Sequence, residues 1–179
     1  SHQIAADSEH ITDDLNNIQK RLETILEDYD LVILSGGVSK GKFDYIPDAL
    51  DKLGVEKLFH RVAQRPGKPF WFGTYKDKST VFAFPGNPVS TFVCALFYLL
   101  PWLKNSIKDS KLNESFALLE EDVNFNPDLT YFLEVKLSSD QDGKMIAKPF
   151  KGKGSGDLAN LLDAEAFMVL PRGKSLLDR

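Results

Sequence analysis

One junction constrains this chain more than any other feature. Four consecutive apolar residues, Leu31-Val32-Ile33-Leu34, run straight into Ser35-Gly36-Gly37-Val38-Ser39-Lys40-Gly41. An apolar run this short and continuous reads as a strand buried on both faces, as in a parallel sheet. The glycines behind it permit a tight turn into a second helix, expected over 45–53 and closed by Gly54. Upstream, Ile11, Leu15, Ile18, Leu22, Ile25 and Leu26 recur at helical spacing, which predicts a helix ending near Glu27 or Asp28. Asp7 or Ser8 is placed to cap it, with Glu9, Asp13 and Asp14 at the positive end of its dipole. Helix, strand, glycine loop, helix is the order of a doubly wound α/β fold.

The same alternation carries on and then stops. A strand is expected over 70–75, a turn at Lys76-Asp77-Lys78, and a strand over 80–84 that Pro85-Gly86-Asn87-Pro88 ends abruptly. The apolar stretch 89–103 reads as a buried helix with Pro101 near its end. Residues 105–114 are polar, as in a linker, and beyond them the spacing becomes that of hairpins. Strands are expected over 130–137, 144–150 and 166–170, with a turn over 140–143 and a short helical piece over 158–162. The reading is a partial doubly wound α/β domain over 1–104, followed by a small β-barrel-like domain over 105–179.

Composition narrows the function classes. With 179 residues there is room for one large or two small domains. Lys and Arg total 22 against 26 acidic residues, so no global basic field exists to collect nucleic acid. The single cysteine, Cys94, excludes an intramolecular disulfide and fits a reducing, cytoplasmic setting. Its apolar neighbours predict a buried, inert thiol. His2, His10 and His60 lack metal-ligand spacing, and no Gly-x-Ser-x-Gly elbow occurs. The first ten residues show neither the basic start nor the apolar run of a signal peptide, and 89–103 is shorter than the ~20 residues a bilayer requires.

Three polar stretches can carry chemistry. In the first, the backbone N–H groups of the 35–41 loop can receive a phosphate, with Ser39 adding a hydroxyl; a ligand-free turn accounts for it equally well. Asp44, just past it, can hold a divalent cation against such a phosphate, although residue chemistry alone favours a helix cap. In the second, Arg65-Pro66-Gly67-Lys68-Pro69 sets two cations around a glycine between stiffening prolines, with Arg61 nearby. It suits an oxyanion or a solvated surface turn. In the third, Pro85-Gly86-Asn87-Pro88-Val89-Ser90 offers Asn87 and Ser90 at another strand-to-helix junction. The acidic run Glu120-Glu121-Asp122 reads as a solvated face.

Together, and in this order and spacing, the three stretches resemble the molybdopterin molybdenumtransferase family, known as MoeA in bacteria and as the E domain of gephyrin in animals. Gly154-Ser155-Gly156-Asp157 and residues 164–171 resemble that family's C-terminal β-domain. The resemblance implies insertion of molybdate into adenylylated molybdopterin with a divalent cation such as Mg2+, releasing AMP. It implies that Gly36, Gly37, Ser39 and Gly41, with Pro85, Gly86, Asn87 and Pro88, hold the phosphate or pterin. Asp44 and Asp7 would serve the metal, and Asp44, Asp7 and Lys68 the reaction. Arg65, Lys68, Pro69, Ser90 and Ser155 would hold the oxyanion. It also implies a fragment that starts partway into its α/β domain, a homodimer through the full-length protein, a molybdopterin adenylyltransferase as partner, and no role with nucleic acid or membrane. Two departures stand out: Arg61 and Arg65 occupy positions where many members have Lys, and Leu129-Thr130 stands where many carry Arg. The alternatives are a molybdopterin adenylyltransferase, whose glycine loop usually has Thr-Gly at Val38-Ser39 and which lacks the β-domain, and a gephyrin-like binding scaffold.

Overall fold

The computed structural model describes residues 4–39, 44–107, 115–150, 158–173 and 176–177. In chain order the elements are α1 (Leu15–Asp28), β1 (Leu31–Ser35), α2 (Ile46–Lys52), β2 (Glu56–His60), β3 (Gln64–Arg65), β4 (Trp71–Tyr75), β5 (Ser79–Phe84) and α3 (Pro88–Cys94). A π-helical turn (Ala95–Leu99) leads into α4 (Leu100–Ser106). There follow β6 (Leu118–Leu119), β7 (Val123–Asn124), β8 (Thr130–Ser139), β9 (Met145–Pro149), α5 (Leu158–Asp163), β10 (Ala166–Leu170) and β11 (Leu176–Leu177).

The first sheet has the order β1-β5-β4-β2; β1 and β5 are parallel, and the other two pairs antiparallel. Alternation along β5 separates two apolar layers. Val81 and Ala83 join Val32, Trp71 and Tyr75 under α1 and α2, where Ile18, Leu22, Leu26, Ala49 and Leu50 complete the core. Phe82 and Phe84 join Phe70 under α3, the π turn and α4, where Cys94, Tyr98, Leu99 and Trp102 pack. This is the expected α/β arrangement of helices on both faces of a sheet.

Four local expectations change. The cap of α1 is Asp14, whose carboxylate accepts from the Asn17 N–H at 2.8 Å; Ile11 packs on the core from outside the helix. Strand β1 lies at the edge of its sheet, and the helical layer that buries Phe82 stops short of the adjacent Ile33, which is 49% exposed. The helix after Pro88 does not end near Pro101 but runs to Ser106. Its π turn lets the Leu100 N–H reach back five residues to the Ala95 carbonyl, and this local widening accommodates the proline ring that follows. That helix is amphipathic rather than buried, with Phe92 and Leu100 facing outward.

The second sheet has the order β10-β8-β9-β6. Asp140 builds the turn between β8 and β9, its carboxylate accepting from the N–H groups of Asp142 and Lys144. The apolar layer is Leu133, Val135, Ala147 and Leu170. Among the described residues the strand pairings follow an open path, without the closure expected of a barrel-like domain. A strand from the first half joins this sheet: β3 pairs in parallel with the start of β8, Gln64 opposite Thr130 and Arg65 opposite Tyr131. Phe97 and Phe132 add a ring contact at 4.4 Å across the same junction. No helix among the described residues is long and apolar enough to cross a membrane.

Candidate functional site

Strand register brings the three polar stretches to one edge of the first sheet. Leu34 lies opposite Ala83, Ala83 opposite Trp71 and Trp71 opposite His60, so β1, β5 and β2 all end at this edge, and β4 begins there. From it emerge the glycine loop after β1, the Pro85–Pro88 loop after β5 and the cationic loop joining β2 to β4. In open α/β sheets, the crevice beyond the carboxyl ends of parallel strands is where ligands bind.

The glycine loop is held by its backbone. Gly36 and Gly37 have φ of 96° and 67°, in the left-handed region that disfavours side chains. The Gly36 N–H donates to the Phe84 carbonyl at 3.0 Å, and the Ile46 N–H to the Gly37 carbonyl at 3.2 Å. A Cβ on Gly36 would meet nothing within 4 Å, so the backbone there faces open space; one on Gly86 would lie 3.4 Å from Gly36 Cα. The glycine and Pro85–Pro88 loops therefore touch at a pair of glycines. Val38 is fully buried in the core, and its carbonyl lies 3.2 Å from His60 Nε2.

At the start of α3, Asn87 acts as N-cap: its Oδ1 accepts from the Ser90 N–H at 3.0 Å, and Thr91 Oγ1 bonds the Pro85 and Asn87 carbonyls. Ser90 is buried, at 6% exposure. The cationic loop lies against it, with the Cβ position of Gly67 3.6 Å from the Ser90 carbonyl oxygen. Arg61 has a φ of 71° and opens the loop, and the Val62 N–H closes it on the Lys68 carbonyl at 2.9 Å. The Arg65–Pro66 peptide is cis. Lys68 is exposed and Pro69 half-buried. Arg65 extends its guanidinium over the Tyr131 ring, 5.8 Å from its centroid, and Tyr131 stacks on Phe125 at 4.4 Å.

Over residues 3–105 the chain matches the family described as "Probable molybdopterin binding domain", and over 117–178 the "MoeA C-terminal region (domain IV)". The chain belongs to the molybdopterin molybdenumtransferase (MoeA) family. It is 40% identical over 164 residues to the molybdopterin molybdenumtransferase of a Synechocystis species, covering 91% of this chain and 40% of that protein. The Bacillus subtilis enzyme of the same name is 33% identical over 167 residues, covering 91% of this chain and 38% of that protein. Among solved structures, the molybdopterin biosynthesis MoeA protein of Pyrococcus horikoshii superposes with a TM-score of 0.73 at 30% identity, over 94% of this chain and 39% of its own. The chain thus spans about two fifths of the length of these relatives.

Set against this MoeA-family edge, most of the residues singled out in the sequence come together. Gly36 meets Gly86 at the end of the parallel pair, which sets the loop of Gly37 and Ser39 beside that of Pro85, Asn87 and Pro88; Gly67, in the loop that carries Arg65, Lys68 and Pro69, lies against Ser90. Asp44 is half-buried between the glycine loop and α2, whose N-cap position falls on the next residue, Tyr45. Gly41 and Ser155 lie outside the described residues. Asp7 does not join the site. Its Oδ2 accepts from the Tyr29 hydroxyl at 2.6 Å, and Tyr29 precedes the five-residue β1 whose far end, about 13 Å on, bears the glycine loop. Asp7 is held there because residues 4–10 run back along α1, where Glu9 pairs with Arg21.

Four residues here escape a sequence reading: Val38, Gln64, Tyr98 and Tyr131. An isolated apolar residue inside a polar loop is a fair signal of a plug, and Val38 carried it. The other three act across distant segments, and nothing in their local sequence announces that. Burial pushes the Cys94 thiol up to about 12, so the inert thiol expected from its neighbours is what the fold provides. Burial also raises Tyr131, with the Arg65 charge acting in the opposite direction.

Proposed function

We propose that this edge is the substrate site of an enzyme that inserts molybdate into adenylylated molybdopterin and releases AMP. The observation that carries the reading is the convergence of the glycine, Pro85–Pro88 and cationic loops at the carboxyl ends of the parallel pair. Gly36, Gly37, Ser39 and Gly41, with Pro85, Gly86, Asn87 and Pro88, bind the phosphate and pterin, the exposed backbone at Gly36 allowing close approach. Arg65 and Lys68, with Pro69, Ser90 and Ser155, hold the oxyanion, Arg65 as a fork of donors and Lys68 as a point charge. Holding both substrates in fixed geometry is the main contribution asked of these side chains.

A divalent cation fits this donor set in one way. Among the described residues no group of three or more His, Cys, Asp or Glu converges, so a dedicated protein cage is absent there. Magnesium commonly binds through one or two carboxylates plus substrate phosphates, and Asp44 supplies such a carboxylate beside the glycine loop. When bound, the cation neutralises charge on the pyrophosphate. The match to the MoeA C-terminal region favours this transferase over the adenylyltransferase reading. Dimerisation through the full-length protein, an adenylyltransferase partner and a cytoplasmic setting belong to the same proposal and rest on the family.

The test is AMP release from adenylylated molybdopterin and molybdate, comparing this chain with its full-length parent. Asp44→Asn in the parent is expected to cut metal-dependent turnover by an order of magnitude or more while leaving the fold intact. Unchanged turnover across a magnesium titration would remove Asp44 from the mechanism.

A further inference from the structure

The geometry points to buried Gln64 and Cys94, with half-buried Tyr98, as a positioning set that fixes the main chain between Arg65 and Lys68 and so sets how tightly this loop takes an oxyanion. The inference rests on the oxyanion reading above and adds to it residues that do not touch the anion.

Gln64 is 1% exposed, an amide with two donor hydrogens and an acceptor oxygen removed from water. Each has a partner. The Tyr98 hydroxyl donates to Gln64 Oε1; Gln64 Nε2 donates to the Pro66 carbonyl at 3.1 Å and to Cys94 Sγ at 3.7 Å. Cys94 Sγ in turn donates to the Gly67 carbonyl at 3.8 Å, which the protonated state of the buried thiol permits. The set therefore grips two consecutive carbonyls, Pro66 and Gly67, and these are the peptide units that separate the two cations. Gly67 makes the grip possible. A Cβ there would lie 2.6 Å from Gln64 Nε2 and 2.7 Å from Cys94 Sγ, at a φ of 91°.

A position that needed only packing would be filled as well by a leucine or methionine, without the cost of burying an amide. A fully satisfied polar network instead specifies one arrangement of the groups it bonds. Its far side is firm. Tyr98 lies in the π turn with its ring 4.9 Å from that of Phe70, while the opposite side of the loop is pinned by the pairing of β3 with β8 and by Arg65 over Tyr131. Lys68 has four rotatable bonds and Arg65 a rigid fork, so a tetrahedral anion bridging them requires a fixed main-chain separation.

The experiment measures tungstate affinity calorimetrically in the full-length protein, together with KM and kcat for molybdate. Gln64→Met keeps length and apolar volume and removes three hydrogen bonds; Tyr98→Phe keeps the ring and removes one. Gln64→Met is expected to weaken tungstate about tenfold and Tyr98→Phe about threefold, with KM for molybdate rising in step and kcat held. Leu22→Ala, which loosens the core on the other face of the sheet, is expected to keep wild-type affinity below its melting temperature. Wild-type affinity in Gln64→Met, or in Tyr98→Phe if the first variant does not fold, would overturn the positioning set while Lys68→Ala still abolishes binding and the oxyanion site stands. Equal weakening by Leu22→Ala would overturn it as an effect of stability alone. Affinity indifferent to Lys68→Ala would overturn both readings.

Discussion

The glycine loop and the cationic loop leave the same edge of the same sheet, yet the second carries a buried side-chain anchor that the first lacks. The first is fixed by main-chain bonds to its immediate neighbours, Phe84 and Ile46, and by one apolar plug, Val38. The second also has main-chain bonds, from the Val62 N–H to the Lys68 carbonyl and from the Phe70 N–H to the Gly67 carbonyl, but adds side chains from a helix about 30 residues further on and a strand of another sheet, through Gln64, Cys94, Tyr98 and the pairing of β3 with β8. A loop meant to let a ligand touch its backbone has to keep side chains out of the way. A loop meant to present charged side chains has to be anchored from behind, because long cationic side chains carry entropy that a flexible main chain would only increase.

Alanine at the central glycine of each loop tests that contrast. Gly67→Ala is expected to have the largest effect, about 3 kcal/mol of lost stability, since its Cβ meets two buried network atoms at a left-handed φ. Chemical denaturation measures it, and a loss below 1 kcal/mol would mean that the network yields easily. Gly37→Ala should cost less, about 1–2 kcal/mol, because the atom it meets at 2.7 Å is a methylene of the Ile46 side chain, which can turn away. A reversed order would end the contrast between a loop without a buried side-chain anchor and a loop with one.

Smaller effects sharpen it. Asn87→Ala removes the N-cap of α3, next to both loops, and is expected to cost about 1 kcal/mol in the same measurement; no change would mean that the Thr91 bonds suffice. The smallest effect lies at the opposite edge of the sheet. Hydrogen bonds from Lys76 and then Tyr75 hold the Glu27 carboxyl below the usual carboxylate range. Because the folded value lies below the unfolded one, the stabilisation is present above the unfolded value and is lost as pH falls through the folded one. Glu27→Gln should therefore lower the denaturation midpoint slightly at neutral pH, with the difference from wild type vanishing once the pH has fallen through the folded value. A difference that persists in acid would assign it to packing.

Local patterns settled much of this molecule. The α1 stripe, the apolar run of β1, the β4–β5 hairpin, the Asp140 turn and β10 follow from periodicity and turn chemistry, which act between residues close in sequence. The glycine loop was legible for the same reason: the ease with which glycine takes a positive φ is a property of the residue itself. Strand β3 was not, since two residues with no alternation form a strand only because β8 is there to pair with them. Nor was the continuation of the helix through Pro101, which depends on a π turn rather than on any residue preference.

For the candidate site, sequence alone named the three loops and the chemistry proposed for them, and only the tertiary structure decided which of them meet. Asp7 and Asp44 are both acidic residues near helix starts, and composition cannot tell that one lies at the amino end of β1 and the other past its carboxyl end. Gln64 reads as an ordinary polar residue beside a cation, and only the approach of Cys94 and Tyr98 makes it a buried anchor. The physical reason is the same in each case. Backbone preference is local and can be read along the chain, whereas the partners of a buried polar group and the end of a sheet that a side chain reaches are set by strand register and helix packing between segments far apart in sequence.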